Sequence, residues 1–176
     1  MKDVDYYLLV EFLRNSRRSD RQMGKDLGIS QPTVTRRRGI LENTVIEEYT
    51  AIPKFAHIGF ELAAFTLMKT NLNCRRGKER EEALWEMKDW FKDQLNVLVV
   101  AQGNGMGWDA ICLSFHENYT DYAEFMAKHQ SELSNIIVES RSFQMPLRNG
   151  AAIKSFSFKD IKPPQSSMER YFRRTV

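Results

Sequence analysis

Three short runs of hydrophobic positions at helical spacing occupy the first 54 residues. The first run, made of Val4, Leu8, Leu9, Phe12 and Leu13, gives one apolar face and predicts a helix. Ser19 and Gln22 stand at capping-box spacing, so a second helix is predicted to begin at Ser19 and to end at Gly28. A third helix is predicted to begin at Ser30. The pattern therefore predicts two capped helices joined by a very short turn.

The third predicted helix has an inner apolar face with Val34 and Leu41, and Pro32 is tolerated in its first turn. Two short helices joined so tightly cross at a steep angle, which leaves the second one protruding. In the major groove of DNA, arginine pairs with guanine and glutamine pairs with adenine. The candidate DNA-binding residues are Ser30, Gln31, Thr33, Thr35, Arg36 and Arg37. The alternative is a solvated helix whose arginines are ordinary surface charge.

The segment VIEEYTAI, residues 45–52, has the hydrophobic spacing of short strands. Two interpretations stay open: a small wing beside the DNA, or simply the link to the next domain. Pro53 marks a plausible boundary. We therefore expect residues 1–54 to form a helix-turn-helix domain, with or without a wing.

Strand-like and helix-like runs alternate over residues 55–150. Strands are predicted near residues 62–69, 97–101, 108–115 and 136–145. The two helices between them have apolar faces, made of Ala83, Leu84, Met87, Trp90 and Phe91 in the first and of Tyr122, Phe125, Met126, His129 and Leu133 in the second. The order β-α-β-β-α-β is that of a ferredoxin-like α+β domain, with both helices on one face of a four-stranded antiparallel sheet. Because the other face is left bare, we expect this domain to dimerise.

The composition, with 42% hydrophobic and 28% charged residues, is that of a soluble globular protein. The chain has no apolar run of about 18 residues and a polar start, so we expect a cytoplasmic protein without a membrane partner. Cys74 and Cys112 are far apart, which favours free thiols over a disulfide or a metal site.

Charge is unevenly distributed along the chain. Residues 1–54 hold ten Lys/Arg and eight Asp/Glu, residues 55–150 hold ten and thirteen, and residues 151–176 hold six and two. Basic ends around an acidic middle favour contact of the ends with a polyanion. In the C-terminal extension, residues 151–176, an edge strand is predicted at residues 153–158 and a short helix at residues 168–176. Its Arg170, Arg173 and Arg174 contact phosphates or a neighbouring subunit, or else stay solvated.

The glycine-rich segment GNGMG, residues 103–107, joins two predicted strands. No helix follows it, so it is not a dinucleotide-binding loop. It is either a hairpin turn that needs positive φ or a site where backbone N–H groups bind a carboxylate. Asp109 either accepts an ammonium group there or completes the hairpin. The candidate effector-binding residues are Gly103, Gly105, Gly107 and Asp109.

Catalysis has little support in the sequence. His57, His116 and His129 are scattered, and no Ser-His-Asp spacing, paired carboxylate or phosphate-binding loop is evident. His129 lies on the apolar face of its predicted helix, which favours a packed core histidine. We therefore expect no catalytic residue, no cofactor and no metal.

The run from Arg14 to Ile52 resembles the start of Lrp/AsnC-family transcriptional regulators, with a segment LGIS-x-x-TV-x-RR followed by Tyr-Thr. Four positions depart from the family pattern. Arg38 stands where a buried aliphatic residue is usual, Ile40 stands where a polar residue is usual, Gly39 interrupts the helix, and Glu48 replaces a usual glycine. We therefore expect DNA contacts from this helix only as far as Arg37.

The resemblance implies a sequence-specific DNA-binding regulator that forms homodimers or larger homo-oligomers on double-stranded DNA. It also implies an amino-acid effector near the segment QGNGMGWDAICLSF, residues 102–115. Two alternatives remain: an architectural DNA-binding protein of low specificity, or an enzyme like the sirohaem decarboxylases of the same layout. Those enzymes carry an Arg-Arg-Phe-Gly-like stretch where this chain has EEYTAI, residues 47–52, which counts against the enzyme.

Overall fold

The computed structural model describes residues 2–148 and 156–164. Among these residues, 2–52 and 156–164 fall into one compact unit and 53–148 into a second, and each unit is described by itself. The short helix predicted at residues 168–176 lies outside the described residues, as does most of the strand predicted at residues 153–158. The described part of that strand, residues 156–158, has no strand conformation.

The first unit contains three helices, α1 over Lys2–Arg14, α2 over Asp20–Leu27 and α3 over Gln31–Thr44. The predicted caps are confirmed: the Gln22 amide donates to Ser19 Oγ, and Gly28 ends α2 with a φ of 67°. The helices share a small core of buried residues that comprises Leu8, Leu9, Phe12, Met23, Val34 and Leu41. The inward placement expected of Val34 and Leu41 is therefore confirmed.

The turn between α2 and α3 requires close backbone approach. A Cβ atom added to Gly24 would lie 2.7 Å from the Ile29 carbonyl oxygen, so no larger residue fits without a backbone shift. Residues 45–54, which follow α3, contain no strand. Of the two interpretations of VIEEYTAI, the structure therefore supports the link over the wing within one chain.

The second unit contains strand β1 over Leu62–Thr70, helix α4 over Lys78–Lys92 and strand β2 over Val97–Gly105. Strand β3 over Trp108–His116, helix α5 over Tyr119–Glu132 and strand β4 over Ile137–Pro146 follow, with short 3-10 turns at Phe55–Ile58 and Leu72–Cys74. The strands pair antiparallel in the order β2-β3-β1-β4. The predicted ferredoxin-like α+β fold is confirmed.

Helices α4 and α5 cover one face of this sheet, and Met68, Met87, Phe91, Phe125 and Ile136 are among the buried residues between them. The opposite face carries a hydrophobic row that crosses all four strands. Register pairs Val99 with Leu113, Leu113 with Phe65, and Phe65 with Phe143. Phe143 is 73% exposed at the end of this row. The partly apolar face expected from the sequence is present but only partly bare, because Leu113 and Phe115 are buried and the Phe55 ring stacks on the Phe115 ring with centroids 4.1 Å apart.

Candidate nucleic-acid interface and effector pocket

The start of α3 is organised by its N-cap. Ser30 Oγ accepts a hydrogen bond from the Thr33 amide at 3.4 Å and lies 2.8 Å from Thr33 Oγ1. Both hydroxyls therefore sit at the amino end of the helix, where backbone N–H groups and the helix dipole favour a phosphate. Gln31, the first helical residue, is exposed.

Burial defines which side of α3 is free. Val34, Arg37 and Leu41 are buried and mark the inner side. Because successive residues of a helix are about 100° apart, the opposite side is centred on Pro32 and Arg36. Both of these are exposed, and Arg36 forms no ion pair with another described residue. Arg36 is thus the arginine that α3 presents outward.

Arg37 was predicted to lie on the outward, DNA-facing side of this helix. That placement is wrong, because the Arg37 side chain is buried. Its Nη1 donates to Asp5 Oδ2 of α1 at 3.2 Å, and the two side chains are only 10% and 7% exposed. Burial raises the pKa of the Asp5 carboxyl, and the Arg37 guanidinium opposes that rise. Arg37 is a contact between α1 and α3 inside the helical unit.

Asp20, at the start of α2, holds the outer part of α3. Its Oδ2 accepts a hydrogen bond from Thr35 Oγ1 at 2.6 Å, and its Oδ1 accepts one from Arg38 Nε at 2.7 Å. Arg38 also donates to the Arg18 carbonyl oxygen at 3.1 Å and lies 4.5 Å above the Phe12 ring. Arg38 thus fills the position of a buried aliphatic residue with an ion pair and a cation–π contact.

Three further basic side chains, Arg17, Arg21 and Lys25, are exposed on and just before α2. None of them forms an ion pair with another residue in the described part of the chain. Their sequence positions alone do not mark them as DNA-binding candidates, because only the fold shows that they form no ion pair with the carboxylates nearby. They are free to contact phosphates.

The glycine-rich segment is a tight hairpin between β2 and β3. Met106 and Gly107 have φ angles of 54° and 81°, and Gly105 pairs with Trp108 across the turn. Two central residues with positive φ are typical of the two-residue turn that suits a twisted hairpin. The interpretation of this segment as a hairpin turn is confirmed for Gly107.

A cavity of about 160 Å³ lies beside this hairpin. It is lined by Thr70, Leu72, Asn73, Arg80, Gln102, Gly103, Asn104 and Asp109. Gly103 and Asp109 therefore face it, whereas Gly105 and Gly107 are not among its described lining residues. Asp109 accepts hydrogen bonds from the Thr70 amide at 2.7 Å and from Asn73 Nδ2 at 3.3 Å, so it joins the start of β3 to the end of β1 and the turn that follows. Arg80 was missed by the sequence analysis, because it is far from the hairpin along the chain.

The fold gathers one Ser-His-Asp group that the sequence spacing did not reveal. Ser114 Oγ lies 2.8 Å from His116 Nε2, and His116 Nδ1 lies 3.1 Å from Asp121 Oδ2. Ser114 and His116 have no exposed surface, and burial lowers the pKa of His116 despite the nearby Asp121 carboxylate. A substrate therefore has no access to Ser114 Oγ, and the group serves as a buried hydrogen-bond network.

Two further features are absent from the described residues. No helix there is long and apolar enough to cross a membrane. No group of three or more His, Cys, Asp or Glu side chains there is arranged to hold a metal ion.

No family model matches the chain, but several known proteins are similar to it. The HTH-type transcriptional regulator Ptr1 of Methanocaldococcus jannaschii is 28% identical over 134 residues, which cover 76% of this chain and 84% of that protein. A transcriptional regulator of Neisseria meningitidis in complex with L-Met has a TM-score of 0.74 at 16% identity, covering 93% of this chain and 96% of that one.

An AsnC-family transcriptional regulator of Agrobacterium tumefaciens has a TM-score of 0.73 at 16% identity, covering 96% of this chain and 99% of that one. These likenesses extend over almost the whole chain and confirm the resemblance found in its helix-turn-helix. The chain has the fold of Lrp/AsnC-family transcriptional regulators and is similar in sequence to the HTH-type transcriptional regulator Ptr1.

Proposed function

We propose that the protein is a sequence-specific, DNA-binding transcriptional regulator that acts as a homodimer or a larger homo-oligomer. The observation that carries the proposal is the capped helix-turn-helix whose α3 presents Arg36 on its free side and has the exposed Gln31 at its amino end. Residues 1–54 form the DNA-binding domain, residues 55–150 the assembly and effector domain, and residues 151–176 an extension. A protein that acts on DNA in this way works in the cytoplasm, without a membrane partner or a catalytic step.

Each α3 side chain has a separate role in this proposal. Arg36 pairs with guanine and Gln31 with adenine in the major groove. Ser30 and Thr33 bring the amino end of α3 to a phosphate. Thr35 contacts the DNA from the edge of the free side, where the hydrogen bond to Asp20 holds its hydroxyl in place. Arg37 acts indirectly, because its ion pair with Asp5 positions α3.

The first experiment retains sheared genomic DNA on the purified protein and sequences what is bound. A dimer with two copies of α3 should enrich a pseudo-palindrome with half-sites about one DNA turn, or a multiple of it, apart. The Arg36→Ala variant should lose the motif. Arg14→Ala, which removes another exposed arginine, from α1, is the control and should keep it.

Retention without a common motif would replace this proposal with an architectural role. Failure of the native protein to retain DNA at modest salt would refute DNA binding. The enzyme alternative would then be tested by an assay for sirohaem decarboxylation.

The hydrophobic row on the open sheet face supports the dimer. The row is exposed at both edges of the sheet, at Val99 and Phe143, and such apolar surface is costly in water unless a second surface covers it. Phe143→Asp should therefore shift the protein towards monomers in analytical ultracentrifugation. Val138, which is 67% exposed on the same strand but outside the row, provides the control Val138→Asp. Equal effects of the two substitutions would argue against this face as the interface.

The cavity beside the hairpin supports a small zwitterionic effector, such as an amino acid. Arg80 offers a guanidinium for a carboxylate, and Asp109 offers a carboxylate for an ammonium group. The similar regulator of Neisseria meningitidis is a complex with L-Met.

Calorimetry with the twenty amino acids tests this assignment. Arg80→Gln and Asp109→Asn should each abolish the binding heat, whereas Arg76→Gln, which removes a nearby exposed arginine outside the cavity, should not. No heat with any amino acid would remove this effector class.

A further inference from the structure

The segment that leaves α3 stays attached to the helical unit for several residues. The amides of Val45 and Ile46 both donate to the Leu41 carbonyl oxygen at 2.8 Å. The Ile46 side chain packs against the core of the three helices. The connection to the second unit therefore does not begin at the end of α3.

Tyr49 makes a second attachment further along this segment. Its hydroxyl donates to Glu42 Oε1 at 3.0 Å, and its ring meets the Phe12 ring edge-on with centroids 6.3 Å apart. The Phe12 ring also lies under the Arg38 guanidinium. We call Phe12, Arg38, Glu42 and Tyr49 the linker contact. It joins the connecting segment to the same side chains that tie α1, α2 and α3 together.

The residues after Tyr49 are exposed, from Thr50 to Lys54. With the linker contact formed, the free connection between the two units is therefore residues 50–54. Without it, the free connection extends back to the attachment of Ile46 and comprises residues 47–54. A peptide chain spans at most about 3.3–3.6 Å per residue, so the reach grows from about 17 Å to about 28 Å.

We propose that Tyr49 is a specificity-determining residue that sets which half-site spacings the dimer accepts. This inference rests on the proposed function. In a dimer the gain in reach applies to both arms, so release of Tyr49 lets the two copies of α3 separate by up to about 20 Å more. At about 3.4 Å per base pair along a strand, this equals roughly six base pairs of extra spacing.

Release of Tyr49 should also weaken binding slightly at the best spacing. The effective concentration of the second α3 falls roughly as the −3/2 power of tether length. Lengthening the free connection from residues 50–54 to residues 47–54 therefore predicts about a twofold loss of affinity at the optimum. At spacings several base pairs longer the variant should bind more tightly than the native protein.

The experiment uses the full chain and a set of duplexes that carry the two selected half-sites at spacings increased one base pair at a time over a full turn. The native protein should bind within a narrow range of spacings, and Tyr49→Ala should broaden that range. Tyr49→Phe, which keeps the ring contact with Phe12 and loses the bond to Glu42, should lie between them. Tyr7→Ala provides the control, because Tyr7 is 51% exposed on α1 and outside the linker contact.

A Gly-Ser pair inserted after Thr50 lengthens the connection without touching Tyr49 and should also broaden the range. If Tyr49→Ala is folded and dimeric and keeps the native range while the insertion broadens it, the role of Tyr49 is overturned. If neither change alters the range of half-site spacings, the length of the free connection does not set that range, and the proposal is overturned. If the native protein binds no duplex at any spacing, the proposed function itself fails, and this inference falls with it.

Discussion

Changing either of the neighbouring residues Arg36 and Arg37 of α3 to alanine should reduce DNA binding, but for different physical reasons. Arg36 is exposed and bound to no described carboxylate, whereas Arg37 is buried against Asp5. Arg36→Ala should therefore impair DNA binding and leave stability unchanged. Arg37→Ala should unfold the helical unit more easily, and it should reduce DNA binding only as far as it reduces folding.

The expected sizes follow from burial. Loss of one partner from a buried ion pair leaves the other charge without compensation, which costs roughly 3–5 kcal/mol. We expect about 3 kcal/mol for Arg37→Ala, because both side chains keep a little exposure. An exposed substitution such as Arg36→Ala should stay within about 0.5 kcal/mol. On DNA, loss of a bidentate guanine contact at about 1–3 kcal/mol lowers affinity roughly 5- to 150-fold.

The raised pKa of Asp5 adds a third expectation. Burial outweighs the attraction of Arg37 for this carboxylate, so the intact pair stabilises the fold less than its disruption destabilises it. The double variant Asp5→Ala, Arg37→Ala should therefore be more stable than the sum of the single losses predicts. Urea unfolding of the four proteins measures this coupling, and fluorescence anisotropy with the selected duplex measures binding. If Arg37→Ala were as stable as the native protein and lost sequence discrimination as Arg36→Ala does, the assignment of Arg37 to positioning would be refuted.

Three further expectations concern stability and are checked by urea unfolding. Gly24→Ala should destabilise the protein, because the added Cβ would lie 2.7 Å from a carbonyl oxygen. Gly39→Ala, which has open space around it, should stabilise α3 by about 0.5–1 kcal/mol. A change of the same sign in the free energy of unfolding for both variants would contradict this. Burial lowers the pKa of His129 from 6.5 to about 4, so its contribution is complete above pH 6.5 and about 3 kcal/mol of stability should be lost as pH falls to 4. His129→Phe should flatten this dependence, and an unchanged slope would exclude His129 as its source. Arg38→Leu should lower the free energy of unfolding by about 1 kcal/mol, mainly because the ion pair with Asp20 is lost. The double variant Arg38→Leu, Asp20→Ala should lose less than the sum of the two single losses. Strict additivity would mean that the two side chains are not coupled.

The helices, their caps and the strand order were predictable because they depend on neighbours in the sequence. The Ser19 and Ser30 hydroxyls bond to amides three residues later, so their effect is visible at that spacing. The apolar faces of α4 and α5 are local patterns too. Their order with the four strand-like runs leaves few ways to form a sheet with covered helices.

The direction of Arg37 was predictable in principle and was still predicted wrongly. At about 100° per residue, Arg37 lies roughly 60° around the helix from Val34, whereas Arg36 lies on the far side. Periodicity alone would place Arg37 near the inner side of α3, but a charged side chain is seldom buried there without a partner. That partner, Asp5, is 32 positions away along the chain. The place of Arg80 in the cavity could not be predicted for the same reason, since only the folded domain brings it to the same cavity as Asp109.

Arg38 shows why a departure from a family pattern has to be judged together with its surroundings. Taken alone, an arginine at a usually buried aliphatic position suggests a damaged helix. In the structure its guanidinium meets the Asp20 carboxylate, the Arg18 carbonyl oxygen and the Phe12 ring, so its charge is compensated and its stem is packed. The same Phe12 ring receives Tyr49 from the connecting segment. Because an aliphatic side chain could bond to neither Asp20 nor Arg18, this arginine gives α2 and α3 a polar attachment beside the point where the connecting segment returns to the helices.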